Sequence, residues 1–251
     1  MDPADTGVGT LDRAVAVLDA VERGARSLAE VVAATGLSRT TAHRLLKSLQ
    51  THGFVSDHRG GGYRLGSRLL RLAAASLREL SLQAVGHATL ERLATTTGES
   101  AQLFVAGADG QRICVDAVQS SSELRTIVPI GSTLPITVGS AGKVFMAWMA
   151  EAAREDLVRR AEPFTDATPT GDRLRRQLST ARRRGWASSA GEREEGVGSV
   201  SAPVMGGDGE PVAVVSISGP TTRVSPAGAK RYAPAVTAAA REIERALGTS
   251  D

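Results

Sequence analysis

The chain has 251 residues, of which 41% are hydrophobic and 23% charged, and these proportions favour a packed fold over disorder. It contains no apolar run long enough to cross a bilayer and no hydrophobic leader segment, so we expect neither a membrane span nor a signal peptide. The single cysteine, Cys114, excludes an internal disulfide and a cysteine metal cluster. We therefore expect a cytoplasmic protein without a metal or other cofactor.

Charge is distributed unevenly. Between residues 36 and 72 there are seven arginines and lysines and one acid, Asp57, whereas from residue 81 onward 19 basic residues balance 19 acidic ones. A basic block beside a neutral body indicates contact with a polyanion. The alternative is a solvated basic face without a partner.

Periodicity and cap residues predict three helices near the N-terminus. Apolar residues of the first helix share one face: Leu11, Ala14, Val15, Leu18 and Val21. Ser27 and Glu30 form a capping box at the start of the second helix, which Gly36 closes. Ser38 caps a third helix that runs to about Thr51.

A hairpin signal follows the third helix. Phe54-Val55 and the segment 63–65 are short strands on either side of a glycine-rich tip at 60–62. Three helices and a two-stranded hairpin in so short a segment are typical of a winged helix-turn-helix. An ordinary three-helix bundle with a hairpin is the alternative.

The third helix divides its apolar and polar residues between two faces. The apolar face consists of Ala42, Leu45, Leu46 and Leu49. The opposite face carries arginine for guanine edges, and the helix N-terminus and hairpin can approach phosphates or the minor groove. We predict that double-stranded operator DNA is bound by Arg39, Thr40, Thr41, His43, Arg44, Lys47, Arg59, Tyr63 and Arg64.

A connecting helix is predicted from Ser67 to about Leu82. Its apolar residues fall on one side: Leu69, Leu70, Ala73, Leu77 and Leu80. Such a stripe needs a surface to pack on, most simply a second copy of itself. We therefore expect a homodimer.

From about residue 83 the pattern is mixed α/β. Helices are predicted at 87–97, 140–150, 151–161, 172–184 and 233–247, and strands at 101–106, 112–118, 124–128, 186–190, 198–204 and 211–218. The fold class is α+β. The predicted domains are a winged helix-turn-helix at 8–66, a linker helix at 67–82 and a larger α/β domain at 83–248.

The sequence of the larger domain contains no recognisable set of catalytic or metal-binding residues. His87 is its only histidine, and GSAGKV departs from a phosphate-binding loop because Thr137 and Val144 replace required residues. Cys114 lies in an apolar strand pattern and is expected to be buried. Glu192, Glu194 and Glu195 are expected to form a solvated acidic run.

The chain resembles the isocitrate lyase regulator (IclR) family of transcriptional regulators. The N-terminal segments LDRAVAVLDAVE, SLAEVVAATGLSRTTAHRLLKSLQTHGFV and GGYRLGSRLL carry the resemblance, as do GSTLPITVGSAGKVFMAW and VAVVSISGP further on. It covers about residues 8–248. Within the family, RICV, VPIGSTLP and GEREEGVGSVSAPV are similar to actinobacterial regulators of amino-acid biosynthesis of the NdgR type.

The resemblance implies a GAF-like effector domain with a small-molecule pocket. Carried over by position, the effector-binding residues are Leu134, Ser140, Ala141, Ser189, Ser199, Ser216 and Ser218, with Leu124 closing one wall. Ser189 and Ser199 stand where the founding member has an acid and a cysteine. The pocket is therefore expected to be neutral, and a ligand like glyoxylate or pyruvate is not expected.

The resemblance implies a sequence-specific DNA-binding regulator, not an enzyme, whose operator binding responds to a small metabolite. It also implies a homodimer, or a homotetramer of paired dimers, on a palindromic operator. Its target genes would serve amino-acid metabolism, possibly that of leucine, or related carbon metabolism. Two alternatives remain open. One is a ligand-free protein-interaction regulator, in which the serines lie on the surface, and the other is an enzyme domain tethered to DNA.

Overall fold

The structure is a computed structural model that describes residues 9–57, 61–80, 82–225 and 227–248. For residues 74–80, 83 and 84 it describes the backbone alone. The chain divides into two compact units, 1–79 and 80–251. The predicted DNA contact Arg59 lies outside the described residues, and so do the side chains of Leu77 and Leu80 in the linker stripe.

The first unit is a helical bundle followed by a hairpin and a further helix. Its elements are α1 (Gly9–Glu22), α2 (Leu28–Thr35), α3 (Arg39–Thr51), β1 (Val55–Asp57), β2 (Tyr63–Leu65) and α4 (Ser67–Leu80). Ser27 and Glu30 form the predicted capping box, and Gly36 ends α2 in the left-handed region at φ 66°. The Ser38 side chain accepts from the Thr41 N–H and caps α3.

The core of the first unit forms where the apolar faces of α1, α2 and α3 meet. Its buried residues are Val17, Val21, Val31, Ala42, Leu45, Leu46, Leu49 and Val55. The apolar face of α3 is therefore buried as predicted. Strands β1 and β2 pair antiparallel, with Val55 opposite Leu65. These elements confirm the N-terminal helix-turn-helix.

The second unit is one antiparallel sheet with helices on both faces. Its helices are α5 (Leu82–Thr97), α6 (Gly139–Trp148), α7 (Glu151–Arg160), α8 (Gly171–Arg184) and α9 (Ala229–Ala246). Its strands are β3 (Ser100–Ala106), β4 (Gln111–Val118), β5 (Thr133–Pro135), β6 (Ala187–Ala190), β7 (Val197–Met205) and β8 (Pro211–Pro220). The strand order is β5-β4-β3-β8-β7-β6. The α+β fold class is confirmed.

Each face of this sheet has its own hydrophobic core. Residues of α5 and α9 pack on one face against Leu103, Val200 and Ile217. Residues of α6 and α8 pack on the other face against Phe104 and Val214. Because side chains alternate along a strand, each central strand supplies both cores. The face beneath α6 is only partly apolar, and its polar portion holds the cavity described below.

One predicted strand is absent from the structure, and one strand of the structure was not predicted. Residues 124–128 are irregular chain instead of a strand, and Leu124 and Ile127 are exposed there. The strand that pairs with β4 is β5, nine residues later, with Leu134 opposite Arg112. The apolar composition of 124–128 suggested burial, but only Val128 packs into the core.

Candidate functional site

The polar face of α3 is an open surface. Thr40, Arg44 and Lys47 are exposed, and so are Arg39 and His43 beside them. Thr41 is half-buried, and its hydroxyl lies 2.9 Å from the Ser38 hydroxyl at the helix start. None of the described acids forms a salt bridge with these basic side chains, so their charge is directed outward.

In the described part of the hairpin, the two predicted contact residues have different environments. Arg64 is exposed, and its Nε donates to the Ser56 hydroxyl at 3.1 Å. Tyr63 is half-buried and packs against the core of the first unit. Its N–H donates to the Arg26 carbonyl at 2.8 Å. Arg64 therefore projects from the hairpin, whereas Tyr63 holds the hairpin against the bundle.

In the second unit, the predicted effector residues converge on one cavity beneath α6. Seven of the eight line it: Leu134, Ser140, Ala141, Ser189, Ser199, Ser216 and Ser218. All six strands and the first turn of α6 contribute to its wall. Ser140, Ser216 and Ser218 are buried, which disagrees with the protein-interaction alternative because that alternative requires surface serines.

The serines form a continuous chain of hydroxyls. Ser199 lies 2.8 Å from Ser189 and 2.6 Å from Ser140, between hydroxyl oxygens. Ser140 lies 2.6 Å from Ser201, which donates to Ser216 at 2.8 Å. Ser201, on β7, belongs to this chain of hydroxyls, although the family resemblance did not indicate it as a site residue. The buried hydroxyls thus satisfy one another within the sheet.

Two arginines also line the cavity, and the prediction of a neutral site is therefore wrong. Arg112, on β4, is 4% exposed, and Arg193 lies in the loop before β7. The Nη1 group of Arg112 donates to the Pro135 carbonyl. The guanidinium lies over the Phe104 ring, 5.5 Å from its centroid. Burial, with a contribution from Arg193, lowers the pKa of Arg112 to about 9, so the group remains charged at neutral pH.

A buried ion pair supports the start of α6. The Lys143 Nζ donates to Glu192 Oε1 at 2.5 Å, to the Ser188 carbonyl at 2.5 Å and to Gln177 Oε1 at 2.7 Å. Glu192 Oε2 accepts from the Gly139 N–H at 3.3 Å. Glu192 is 5% exposed, so the prediction of a solvated acidic run is wrong for this residue. Glu194 and Glu195 are exposed as predicted.

Leu124 occupies a different position from the other predicted effector residues. It is 66% exposed and lines a neighbouring outer cavity of about 570 Å³. The two cavities share Thr126, Arg193 and Val197. Arg223 fixes this region, because it pairs with Glu99 at 2.6 Å and donates to the Leu124 carbonyl at 2.9 Å. Leu124 therefore lies at the outer entrance instead of the inner wall.

Cys114 and His87 show no catalytic arrangement. Cys114 is fully buried, and burial raises the pKa of its thiol to about 12. His87 Nδ1 lies 3.0 Å from a carboxylate oxygen of buried Asp116, away from the cavity lining. Within the described ranges no three His, Cys, Asp or Glu side chains are grouped suitably for a metal ion. No helix in the described part of the chain has the length and apolar character needed to cross a bilayer.

Family comparisons match both units. The IclR helix-turn-helix domain matches residues 10–58, and the bacterial transcriptional regulator IclR C-terminal domain matches residues 74–245. The transcriptional repressor IclR of Escherichia coli K12 is 30% identical over 98% of this chain and 92% of its own length. The glycerol operon regulatory protein of Streptomyces coelicolor is 34% identical over 96% of this chain and 95% of its own length.

Solved structures share the complete fold. An IclR homologue from Microbacterium hydrocarbonoxydans, in complex with 4-hydroxybenzoate, has a TM-score of 0.82 at 25% identity. The match covers 96% of this chain and 100% of that one. The fold and its exposed helix define a DNA-binding transcriptional regulator, and these relatives are regulators, not enzymes. This chain belongs to the IclR family.

Sequence reasoning missed several residues of the inner cavity, among them Gln102, Phe104, Arg112, Thr126, Val128 and Arg193. A signal existed for Arg112. It lies two residues before Cys114, on the same face of β4, and a charged residue on the inward face of a half-buried strand indicates a special environment. No sequence signal indicated the close approach of α6, which the structure shows at Gly142: a Cβ there would lie 2.1 Å from the Ile136 carbonyl oxygen and 3.0 Å from Arg112 Nη1.

Proposed function

We propose that this regulator binds a palindromic operator as a homodimer or homotetramer through α3, and that a small metabolite in the inner cavity modulates this binding. The single observation that carries the proposal is that α3 exposes a basic face to solvent while its opposite, apolar face is buried in the core. Arg44 is the residue for base reading, and Lys47 is the residue for phosphate contact. The positive charges have no acidic partner among the described residues and are free to meet phosphates.

The apolar surface of the first unit supports self-association. Leu11, Val15, Leu65, Leu70 and Leu72 are exposed large hydrophobic residues. Leu70, on α4, is 74% exposed, and a second copy of the chain would bury it. Two recognition helices about 34 Å apart would then meet successive turns of the major groove.

The inner cavity is the proposed effector site. It is lined by buried polar side chains, and a relative of the same fold has been solved with 4-hydroxybenzoate. We assign effector contact to the seven inner residues of the sequence prediction and an entrance role to Leu124. The target genes are proposed to serve amino-acid or related carbon metabolism, and the site of action is proposed to be the cytoplasm.

Affinity selection from a random duplex library tests DNA binding by the full chain. The double variant Arg44→Ala, Lys47→Ala is compared with Arg23→Ala, Arg26→Ala, which removes the same charge outside α3. We expect only the α3 variant to lose the enriched sequence. Equal enrichment by both variants would remove α3 from the interface.

Light scattering of wild type and Leu70→Glu tests self-association. Wild type is expected at twice 26.1 kDa or more. Leu70→Glu is expected to shift toward a monomer without losing helical content, because this side chain is exposed in the single chain. A wild-type monomer at micromolar concentration would contradict the palindromic operator.

A further inference from the structure

Helix α8 concentrates positive charge on one side of the second unit. Six of its 14 residues are arginine, whereas Asp172 is its single acid. The six arginine side chains are all exposed: Arg173, Arg175, Arg176, Arg182, Arg183 and Arg184. The buried side of the helix consists of Leu174, Leu178 and Ala181. The outward side of α8 is therefore a basic ridge, about 21 Å long at 1.5 Å per residue.

Most of the charge on this ridge has no acidic partner. Arg175 forms salt bridges with Glu155 and with an acid of its own helix. Among the acids that the structure describes, none forms a salt bridge with the other five arginines of α8. On the neighbouring α7, by contrast, Arg159 and Arg160 both pair with Asp156. The remaining charge of the ridge is therefore available to a partner from outside the chain.

The stability of the helix does not account for these arginine positions. Arg173 lies in the first turn, where the helix dipole disfavours a cation, and Arg176 repeats the charge three residues later on the same face. Within the helix itself, the last turn at 182–184 is the favourable place for positive charge. Repulsion among the arginines costs folding free energy, and a bound polyanion would recover it.

The ridge lies between two grooves, each lined by arginines from one side of α8. Those of the first groove, of about 440 Å³, are Arg173, Arg176 and Arg184. Those of the second groove, of about 380 Å³, are Arg175, Arg182 and Arg183. The acids that line the two grooves, Glu192 and Glu155, are both held in salt bridges. A linear polyanion laid along α8 would therefore meet arginine on either side of the helix.

Two of these arginines stack on the tryptophans of the chain. Arg182 lies over the Trp148 ring, 4.8 Å from its centroid, and Arg184 lies over the Trp186 ring, 4.3 Å from its centroid. The chain has two tryptophans, so both are used in this way. Stacking fixes the plane of a guanidinium and leaves the N–H groups at its edge free for a bidentate contact to a phosphate. The last turn of α8 is therefore preorganised to bind phosphate oxygens.

The chemistry of the ridge favours duplex DNA over an acidic protein. Its exposed side chains are the six arginines, Asp172 and Ser179, and no large exposed hydrophobic residue lies on α8. Protein interfaces normally have an apolar centre, whereas protein–DNA interfaces are polar and strongly positive. Duplex DNA carries about one charge per 1.7 Å, so it offers roughly a dozen phosphates along a helix of this length. A DNA-binding regulator is also held beside this polyanion whenever it is bound to DNA.

We propose that α8 is a second DNA-contact surface, which binds the phosphate backbone without reading its sequence. Arg182 and Arg184 supply stacked guanidinium groups, and Arg173, Arg176 and Arg183 supply further positive charge. This contact goes beyond the operator contact proposed for α3, because it belongs to the other compact unit and uses other residues. Its effect is to raise the affinity for DNA of any sequence, while α3 selects the operator.

Salt titration of binding to a duplex of unrelated sequence, about 60 base pairs long, tests this contact with the full chain. The double variant Arg176→Gln, Arg183→Gln removes one arginine from each groove. The control, Arg241→Gln, Arg245→Gln, removes the same charge from exposed positions on α9. At about 0.1 M salt the α8 variant is expected to bind about ten-fold more weakly than the control. Its log–log salt slope should be flatter by about 1.8 per chain, because each phosphate contact contributes about 0.9.

A single-site crosslink distinguishes direct contact from a general effect of charge. Cys114 is the only cysteine of the chain and is fully buried, so a thiol reagent labels an introduced surface cysteine selectively. Ser179→Cys, exposed on α8 and carrying a photoactivated crosslinker, is expected to attach to the duplex. Ala238→Cys, exposed on α9 and labelled in the same way, is expected not to attach.

The outcomes keep the α8 contact separate from the proposed role of α3. A flatter salt slope with the operator preference intact supports the inference. Equal affinities and slopes for the α8 variant and its α9 control, or equal crosslinking at the two labelled positions, would overturn it. Binding of poly-L-glutamate that depends on Arg176 and Arg183, with DNA affinity unchanged, would assign the ridge to an acidic protein and also overturn it. If Arg44→Ala, Lys47→Ala retains the enriched operator sequence, the proposed function fails while the α8 contact stands.

Discussion

The recognition helix and the inner cavity organise polar side chains in opposite ways. On α3 the arginine and lysine side chains project into solvent and stay separate from described acids, so their partner must come from outside. Around the cavity the serine hydroxyls satisfy one another, and the buried Lys143–Glu192 pair beside it supports the start of α6. A single helix defines the first surface, whereas six strands and a helix terminus assemble the second. Substitutions in the first should affect binding alone, whereas those in the second also affect folding.

The largest expected effect lies on the buried side of the comparison. Lys143→Met leaves Glu192 buried with only the Gly139 N–H as donor, and we expect a loss of about 3–5 kcal/mol in unfolding free energy. Urea denaturation measures it. Lys230→Met, on the exposed surface of α9, is the control and should change little. The double variant Lys143→Met, Glu192→Leu should recover part of the loss, and a single variant as stable as wild type would show that the pair is dispensable.

The corresponding change on α3 should leave stability intact. Arg44→Ala is expected to cost about 1–3 kcal/mol in operator binding and to relax the preference at one base position. The reason is that a bidentate contact to guanine carries sequence information. Gel-shift titration against operator variants measures both effects. A uniform loss across all sequences, or a lower unfolding temperature, would assign Arg44 to phosphate contact or to folding instead.

An intermediate effect is expected in the serine chain. Ser199→Ala adds no bulk and removes a hydroxyl that links Ser189 to Ser140, at a cost of about 1 kcal/mol in effector binding. Operator binding by the unliganded protein should remain near the wild-type value. Calorimetry with the tightest ligand from a screen of small metabolites, followed by gel shifts, provides the measurement. Unchanged effector affinity would exclude this hydroxyl from the site.

The smallest effect concerns a pair outside both surfaces. A hydrogen bond from His87 to buried Asp116 raises the pKa of the histidine above its ordinary value, with a small contribution from Glu91. The extra stability is therefore complete below the unfolded-state pKa, near 6.5, and is lost as the pH rises through the folded-state pKa. The unfolding free energy of wild type should therefore exceed that of His87→Gln by more at about pH 5.5 than at about pH 8.5. Identical pH profiles would contradict this coupling.

The sequence predicts α3 well because one helix carries all the information. Ala42, Leu45 and Leu49 repeat at helical spacing, and the cap residue Ser38 precedes them, so both the helix and its outward face follow from local physics. The family resemblance supplied the serines of the cavity by position. Neither argument gave Arg112, because its burial depends on the pairing of β4 with β5 and on the close approach of α6 at Gly142. The prediction of a neutral cavity therefore failed, because contacts between residues distant in sequence decide which side chains line it.

The irregular segment 124–128 shows the same limit. Its apolar residues are typical of a strand, yet Leu124 and Ile127 remain exposed and no strand pairs with the segment. Val128 alone enters the core, and Arg223 holds the Leu124 backbone from outside the local sequence. A pattern of side chains does not specify which neighbour supplies backbone hydrogen bonds.

The junction between α3 and α4 has a mechanical consequence. The Gly66 N–H donates to the Phe54 carbonyl at 2.7 Å, and a Cβ on Gly66 would lie 2.1 Å from the Gly53 carbonyl oxygen. Arg68 completes the junction by lying over the Phe54 ring, 4.9 Å from its centroid. The first turn of α4 is thereby fastened to the segment that ends α3. We therefore expect that a rotation of α4 about its own start would turn α3 with it, because the two helices are joined by these short-range contacts.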